Sequence, residues 1–260
     1  MSKTEFADTH CHLNLPPLRN QLADVLARAR EAGVTTLVVP GVTPDGWPEI
    51  AALAVENMSV LPAYGLHPQY AHLYHVGLID NLMTYLPHAV AVGEIGLDYM
   101  LPEPTRKQQR EIFRSQVKLA VSSGLPVLVH CRKAFQELLT ILREERVDRV
   151  GGVMHAFSGS PEFAVDCIRL GLFIGVAGPV TYLNAVRPVE VVRRIPLEHL
   201  VLETDAPDMA PEPHCGQVNE PAYMLETARR VAAIKGTALE TVAAVTSWNA
   251  ERLFSRYNRS

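Results

Sequence analysis

The feature that most constrains the fold is a regular alternation of short β-rich runs with amphipathic stretches along the chain. The clearest amphipathic stretch is Thr105–Ser123, which ends at Gly124 and Pro126 as a helix does. No glycine-rich phosphate motif follows the first β-rich run, which disfavours an open doubly wound sheet. Eight βα units therefore predict an α/β fold, a closed (β/α)8 TIM barrel. The β-rich runs are Glu5–Thr9, Thr35–Val39, Val60–Leu66, Ala89–Val92, Val127–Val129, Val150–Met154, Leu172–Val176 and Leu200–Leu202.

The chain length of 260 residues fits one such barrel, because these barrels run to roughly 250 residues as a single unit. The hydrophobic fraction of 48% is enough for a large core, and the charged fraction of 20% argues against disorder. No linker or low-complexity tract interrupts the sequence. We therefore expect a single domain over residues 1–260.

Charge and cysteine content bear on the partners and the compartment. A net charge of -4 lacks the basic footprint of a protein that binds long nucleic acid. The four cysteines form no CxxC pair, and no secretory signal pattern precedes the first motif. No apolar run approaches the roughly 20 residues that span a bilayer. We expect a cytoplasmic protein with no membrane association, and the sequence indicates no obligate protein partner.

Candidate metal ligands follow several of the predicted strands, at the ends where barrel enzymes place their active sites. Alternation along the first strand puts Asp8, His10 and His12 on one face, so that the two imidazoles can bind one cation. A pair of hydrogen-bonded surface histidines is the alternative for His10 and His12. Asp8 is predicted to orient an imidazole from behind the metal site.

Glu94, His130 and His155 end three further β-rich runs. A carboxylate after a buried apolar run must be paired, hydrogen-bonded or metal-bound, so a structural salt bridge is the alternative for Glu94. With two oxygens, however, Glu94 can bridge two cations. Taken singly, each histidine is better explained as a hydrogen-bonded core residue. Their joint placement at strand ends favours metal binding.

Two acidic residues follow the eighth run. Asp205 is nearer the expected barrel mouth and is predicted to be a metal ligand and the base beside the metal. Glu203 is predicted to lie one layer deeper and to support the site. For either residue, the alternative is a buried partner of an arginine or a histidine.

The predicted ligands suffice for two divalent ions with open positions, which activate a shared water for hydrolysis. Asp205 would accept the proton as the hydroxide attacks, and Glu94 would hold both ions. Imidazoles and carboxylates together suit Zn, Mn, Ni or Fe and do not exclude Mg. The full predicted ligand set is His10, His12, Glu94, His130, His155 and Asp205.

Three further residues are predicted to contact substrate. His67 precedes Pro68 at a strand end and could bind an anion, and Arg132 could fork onto a phosphate. Ser158 precedes a helix start, where backbone N–H groups favour anions. A plain loop contact is the alternative for each of the three.

Seven segments along the chain match, in order, the pattern of a known protein family. In them it resembles the TatD family of metal-dependent hydrolases, which are related to the amidohydrolase barrels. The segments are Phe6–Asn14, Gly65–Pro68, Gly93–Tyr99, Pro126–Arg132, His155–Gly159, Leu202–Pro207 and Asn249–Phe254. The resemblance implies that His10, His12, Glu94 and Asp205 hold one ion, and that Glu94, His130 and His155 hold the second.

The resemblance also implies deoxyribonuclease activity, as a 3′-end exonuclease, on DNA ends or a small phosphoester. Phe135-Gln136 stands where an acidic residue is common, Met100 replaces a frequent second tyrosine, and residues 211–219 replace a basic stretch. These departures bear on substrate preference and leave the metal ligands intact. The alternative enzyme is an amidohydrolase-type esterase, lactonase or amidase, which a carbamylated bridging lysine would favour; here the bridge is Glu94. A catalytically silent barrel would lack a ligand, and none is missing.

Overall fold

The computed structural model describes residues 4–255, and these form an eight-stranded parallel barrel surrounded by helices. The predicted TIM barrel is therefore confirmed. The parts of the single-domain and leader-peptide predictions that fall on residues 1–3 and 256–260 lie outside the described residues. The strands are β1 (Phe6–Asp8), β2 (Val34–Pro40), β3 (Val60–Tyr64), β4 (Ala91–Asp98), β5 (Val127–Arg132), β6 (Gly152–Met154), β7 (Leu172–Val176) and β8 (Leu200–Leu202).

The helices alternate with the strands, and two of them follow β8. Gly33 and Gly124 end the helices before β2 and β5 with φ of 87° and 65°, conformations that glycine adopts without steric cost. Within residues 4–255 the helices are α1 (Leu22–Glu31), α2 (Trp47–Glu56), α3 (Leu78–Tyr85), α4 (Arg106–Ser123), α5 (Phe135–Glu144), α6 (Pro161–Arg169), α7 (Arg187–Arg194), α8 (Met224–Lys235) and α9 (Leu239–Leu253).

The strands pair in chain order from β1 to β8, and every pair is parallel. Two hydrogen bonds at the C-terminal ends of β1 and β8 join the last strand to the first. The Thr9 N–H donates to the Leu202 carbonyl at 3.0 Å, and the Asp205 N–H donates to the His10 carbonyl at 2.9 Å. All C-terminal strand ends therefore face the same opening, which is where barrel enzymes place their chemistry.

Strand β4 differs from the sequence prediction in a way that matters for the site. It was predicted to stop at Val92, but it continues to Asp98, and its pairing with β5 shifts register between Val92 and Ile95. Glu94 therefore lies inside the strand, at the irregularity, and does not follow it. Strand β5 likewise continues past His130 to Arg132. Among residues 4–255, no helix has the length and apolar character needed to cross a membrane.

Candidate metal centre

Segment 8–12 brings two imidazoles to the barrel mouth, although β1 itself ends at Asp8. The Cys11 N–H donates to the Val38 carbonyl at 3.0 Å, and the His12 N–H donates to the Ala206 carbonyl at 2.7 Å. Because these hydrogen bonds hold the segment to chain on both sides, His10 and His12 point the same way, as alternate residues of a strand do. The Nε2 atoms of His10 and His12 consequently lie 3.3 Å apart in the buried interior of the mouth.

Asp205 completes what we call the first cluster, consisting of His10, His12 and Asp205. Its Oδ1 lies 3.7 Å from the Nε2 of His10 and 3.6 Å from that of His12. Asp205 adopts φ of 57°, so simple strand alternation with Glu203 does not describe it. Its position near the mouth nevertheless agrees with the prediction.

A second cluster, consisting of His67, His130 and His155, lies on the other side of Glu94. The Oε1 of Glu94 is 3.0 Å from the Nδ1 of His130, and it is 3.5 Å and 3.8 Å from the Nε2 atoms of His67 and His155. Its Oε2 instead faces the first cluster, 3.3 Å from the Nε2 of His10 and 3.6 Å from that of His12. One carboxylate thus offers a different oxygen to each cluster.

His155, a member of the second cluster, also contacts the first cluster. Its ring stacks on that of His10 with 3.5 Å between centroids, and its Nε2 lies 3.5 Å from the Oδ1 of Asp205. The resemblance assigned His155 to the second ion, together with Glu94 and His130. His67 is an additional candidate for that ion, because its donor atom lies within 4.8 Å of those of Glu94 and His130.

The charges of the two carboxylates are balanced by protons in the metal-free protein. Burial opposes ionisation of both Glu94 and Asp205, but the surrounding histidines hold the pKa of each below its ordinary value. Burial alone would lower the pKa of His155, but Asp205, Glu203 and Glu94 together raise it to about 10. The acidic groups are therefore ionised and His155 carries a proton at neutral pH.

The pKa values of the other imidazoles shift in opposite directions. Burial and the neighbouring His155 lower the pKa of His10, and burial lowers the pKa of His67 to about 4. His12 and His130 are also buried, but hydrogen bonds to Asp205 and to Asp98 respectively raise the pKa of each. His67 is thus neutral at physiological pH. A neutral imidazole suits metal binding better than the predicted anion binding.

Glu203 lies behind His155, and its role in supporting the site stays a prediction. It is fully buried, its Oε1 lies 3.3 Å from the Nδ1 of His155, and the same oxygen accepts a hydrogen bond from the Ala156 N–H. A carboxylate behind a metal-binding imidazole fixes the ring orientation and raises its basicity.

Asp8 differs from its predicted role, because its carboxylate binds backbone and hydroxyl groups instead of an imidazole. Its Oδ1 accepts from the N–H groups of His10 and Thr204, at 3.1 Å and 3.0 Å, and its Oδ2 accepts from the Thr204 hydroxyl at 2.6 Å. Burial raises the pKa of Asp8 to about 7 against the effect of these hydrogen bonds. Asp8 therefore ties the start of the barrel to its end and positions His10 through the main chain.

Asp98 is a site residue that the sequence reasoning missed. Its Oδ2 lies 3.7 Å from the Nε2 of His130, on the side of the ring away from Glu94. The Met100 N–H donates to its Oδ1 at 2.8 Å, and Gln109 holds its backbone through the N–H and the carbonyl. Asp98 lies four residues after Glu94, so strand alternation puts both side chains on one face. This would have identified Asp98 had β4 been predicted at its full length.

The centre opens into a cavity of about 500 Å³. Arg132 and Ser158 are exposed and line this cavity, together with Glu94 and Asp205. Arg187 also reaches the rim, where its guanidinium donates to the Ser158 carbonyl at 3.3 Å. The predicted substrate contacts are thus placed where a bound substrate could meet them.

The arrangement fits divalent ions on its own geometry. Two donors that bind one ion at about 2.1 Å with tetrahedral or octahedral angles are separated by roughly 3.0–3.4 Å. The donor pairs within the first cluster and between Glu94 and both clusters lie at 3.0–3.8 Å, within a few tenths of that range. Imidazole and carboxylate donors are those that Zn, Mn and related ions take.

Comparison with known proteins gives a consistent family match. The family model described as TatD related DNase matches residues 7–255. The metal-dependent hydrolase YabD of Bacillus subtilis is 36% identical over 253 residues, covering 95% of this chain and 98% of that protein. The metal-dependent hydrolase YcfH of Escherichia coli is 37% identical over 251 residues, covering 95% and 94% respectively. The crystal structure of YjjV, a TatD homologue from Escherichia coli, has a TM-score of 0.92, 34% sequence identity, and coverage of 97% of this chain and 98% of that one.

Proposed function

This chain belongs to the family of TatD-related DNases, and from that premise we propose that it is a metal-dependent hydrolase of phosphodiester bonds. We further propose that it holds two divalent ions and acts on the 3′ ends of DNA. The observation that carries the two-ion proposal is the division of Glu94, which turns Oε2 towards one cluster and Oε1 towards the other.

The proposed ligands follow from that division. Glu94 Oε2 would join His10, His12 and Asp205 around the first ion, and Glu94 Oε1 would join His130 and His155 around the second. The ions supply Lewis acidity, which activates water and polarises the phosphoryl group. Zn, Mn and Mg are the candidates, because the donors are imidazole nitrogens and carboxylate oxygens.

Asp205 is the proposed base. Its pKa is lowered below the ordinary value by His155 and its neighbours, so it is ionised and can accept a proton at neutral pH. It lines the open cavity, where an attacking water would enter, whereas Glu203 is fully buried behind His155. Glu94 is the second proposed catalytic residue, since its two oxygens face different clusters and would hold both ions.

DNA ends are supported as substrate by the family description and by the shape of the rim. Arg132 is exposed and lines the cavity of the metal centre. Arg187 donates a hydrogen bond to the carbonyl of Ser158, which also lines the cavity. Arginine recognises phosphate with a planar fork of donors. A strand end needs only such local contacts, which is compatible with a net charge of -4.

The proposal is tested by metal restoration. The protein is stripped of metal, Mg, Mn or Zn is restored separately, and turnover of 5′-labelled single-stranded oligonucleotides is compared with that of simple esters, amides and lactones. We expect stepwise shortening from the 3′ end, and Asp205→Asn should reduce it by about 10³-fold or more.

Asp148→Asn is a suitable control, because Asp148 pairs with Arg146 at the surface before the N-terminal end of β6, the end of the barrel opposite the centre. The nuclease proposal is wrong if esters or lactones turn over strongly while oligonucleotides stay intact. Activity of Asp205→Asn near the wild-type rate would move the role of base to another residue.

A further inference from the structure

A second cavity adjoins the metal centre. It has a volume of about 120 Å³ and lies between β7 and α7, where Ile174 and Val176 face Val191 and Val192. Ala156, Ser158 and Met209 line both this side pocket and the larger cavity. Ala156 directly follows His155, so the side pocket begins one residue from a proposed metal ligand.

The side pocket offers almost no polar groups to an occupant. Among the described residues that line it, Ser158 alone has a polar side chain, and Ser158 is exposed on the cavity side. The backbone carbonyls of β7 and its extension are already engaged: Gly175 accepts from Phe157, Val176 from Glu203, and Ala177 from Val180.

This lining selects the chemistry of the occupant. The edge of a nucleobase carries several donors and acceptors, and burying them without partners costs free energy. A hydrocarbon group has no such cost, and its transfer from water into an apolar site is favourable. The pocket size also fits, since an apolar cavity of about 150 Å³ stays dry and binds benzene.

We propose that the side pocket binds a phenyl or short alkyl substituent next to the scissile bond, giving the enzyme a second activity on small aryl and alkyl phosphodiesters. This inference rests on the proposed phosphodiester hydrolysis. The bonds that change are the same: the water oxygen bonds to phosphorus, and the phosphorus–oxygen bond to the leaving group breaks. Asp205 receives the proton that the water loses, and the leaving group departs as its oxyanion.

A series of 4-nitrophenyl phosphodiesters tests the proposal, because the leaving group and reacting bond stay constant. The second ester substituent is methyl, propyl, phenyl or biphenylyl, and kcat/KM is measured on the metal-loaded protein. We expect an increase of about tenfold or more from methyl to phenyl, and a fall at biphenylyl, which exceeds the pocket. A flat series would refute the pocket as a subsite.

Val191→Phe fills the pocket from α7 and should remove the preference for phenyl over methyl. Val189→Phe is the matched control, since Val189 is a largely buried valine of the same helix that does not line the pocket. If both variants keep the phenyl preference, the substituent binds elsewhere and the proposal is wrong.

A binding measurement on the wild-type protein does not depend on the variants folding. Crystals soaked with benzene should show it between Val176 and Val192, and an empty side pocket at saturating benzene would refute the proposal. The two proposals also fail differently. Absence of turnover for the methyl ester and for oligonucleotides contradicts phosphodiester hydrolysis, whereas turnover without a size preference contradicts only the side pocket.

Discussion

Glu94→Gln should weaken the binding of one of the two proposed divalent ions by about two orders of magnitude. Glutamine keeps one carbonyl oxygen but replaces the other with an NH2 group, which cannot ligate a cation. Because the two oxygens of Glu94 face different clusters, only one of the proposed sites can retain its ligand. The variant therefore separates a bridging role from an ordinary ion pair in a way that alanine would not.

The magnitude follows from the number of ligands. Zinc bound by four protein ligands contributes about 12 kcal/mol, or about 3 kcal/mol for each ligand. Losing one of them should weaken that ion by about two orders of magnitude. The other ion should weaken less, since an amide oxygen replaces a carboxylate oxygen. The pKa of Glu94 lies well below its ordinary value, so the wild-type carboxylate is charged throughout the pH range of the assay.

Isothermal titration of the metal-free proteins with Zn or Mn gives both the stoichiometry and the affinities. Glu49→Gln is the control, because Glu49 pairs with Arg19 at the surface and removal of its charge should leave both ions in place. Two ions of unchanged affinity in Glu94→Gln would refute the bridging geometry. A single ion in the wild-type protein would refute it as well.

Two further predictions concern protons and support of the site. Because the pKa of His155 is raised to about 10, that imidazole is protonated below this pH, and a metal ion that binds it must displace the proton. The affinity for the metal should therefore rise about tenfold per pH unit between about pH 6 and about pH 9. Calorimetric titration in buffers of different ionisation heat measures this, and an affinity that does not change with pH would contradict it. Gly175→Ala places a Cβ within 2.6 Å of the Glu203 carboxylate and should weaken metal binding about tenfold by displacing Glu203 from His155, whereas Gly77→Ala, whose Cβ meets only ordinary contacts, should bind metal as the wild type does.

The strands were predictable where the sequence runs are continuous and apolar. The runs Leu172–Val176 and Leu200–Leu202 coincide with β7 and β8, because strands covered on both faces are hydrophobic at every position. Strand β4 was not predictable in full, because Gly93 and Gly96 interrupt it and glycine is read as a strand end. The structure uses Gly96 at φ of 156° beside the backbone of His130, where a Cβ would lie 1.9 Å from its carbonyl oxygen.

The sequence indicated which residues lie together at the site, but not which of them contact one another. Strand-end placement identified the residues that the structure brings together, from His10 to Asp205, although their role as ligands stays a prediction. Their partners could not be read from spacing. Asp98 was missed because β4 was predicted too short, and the contact of His67 with Glu94 joins the loop after β3 to the interior of β4, which sequence spacing does not show.

Main-chain hydrogen bonds hold both clusters, but carboxylates flank the rings of the second, and no local sequence pattern encodes this difference. The first is fixed by the main chain: Asp8 accepts from His10 and Thr204, and the Asp205 N–H donates to the His10 carbonyl, across nearly the whole length of the chain. In the second, main-chain hydrogen bonds from His67 to Val42 and from His155 to Val129 hold the backbone, and carboxylates lie on both sides of two rings: His130 lies between Glu94 and Asp98, and His155 between Glu94 and Glu203. Backbone hydrogen bonds fix donor positions without using the carboxylates that would bind the ion. Closure of the barrel therefore preorganises the first cluster, whereas in the second the carboxylates that balance the charge also orient the rings of His130 and His155.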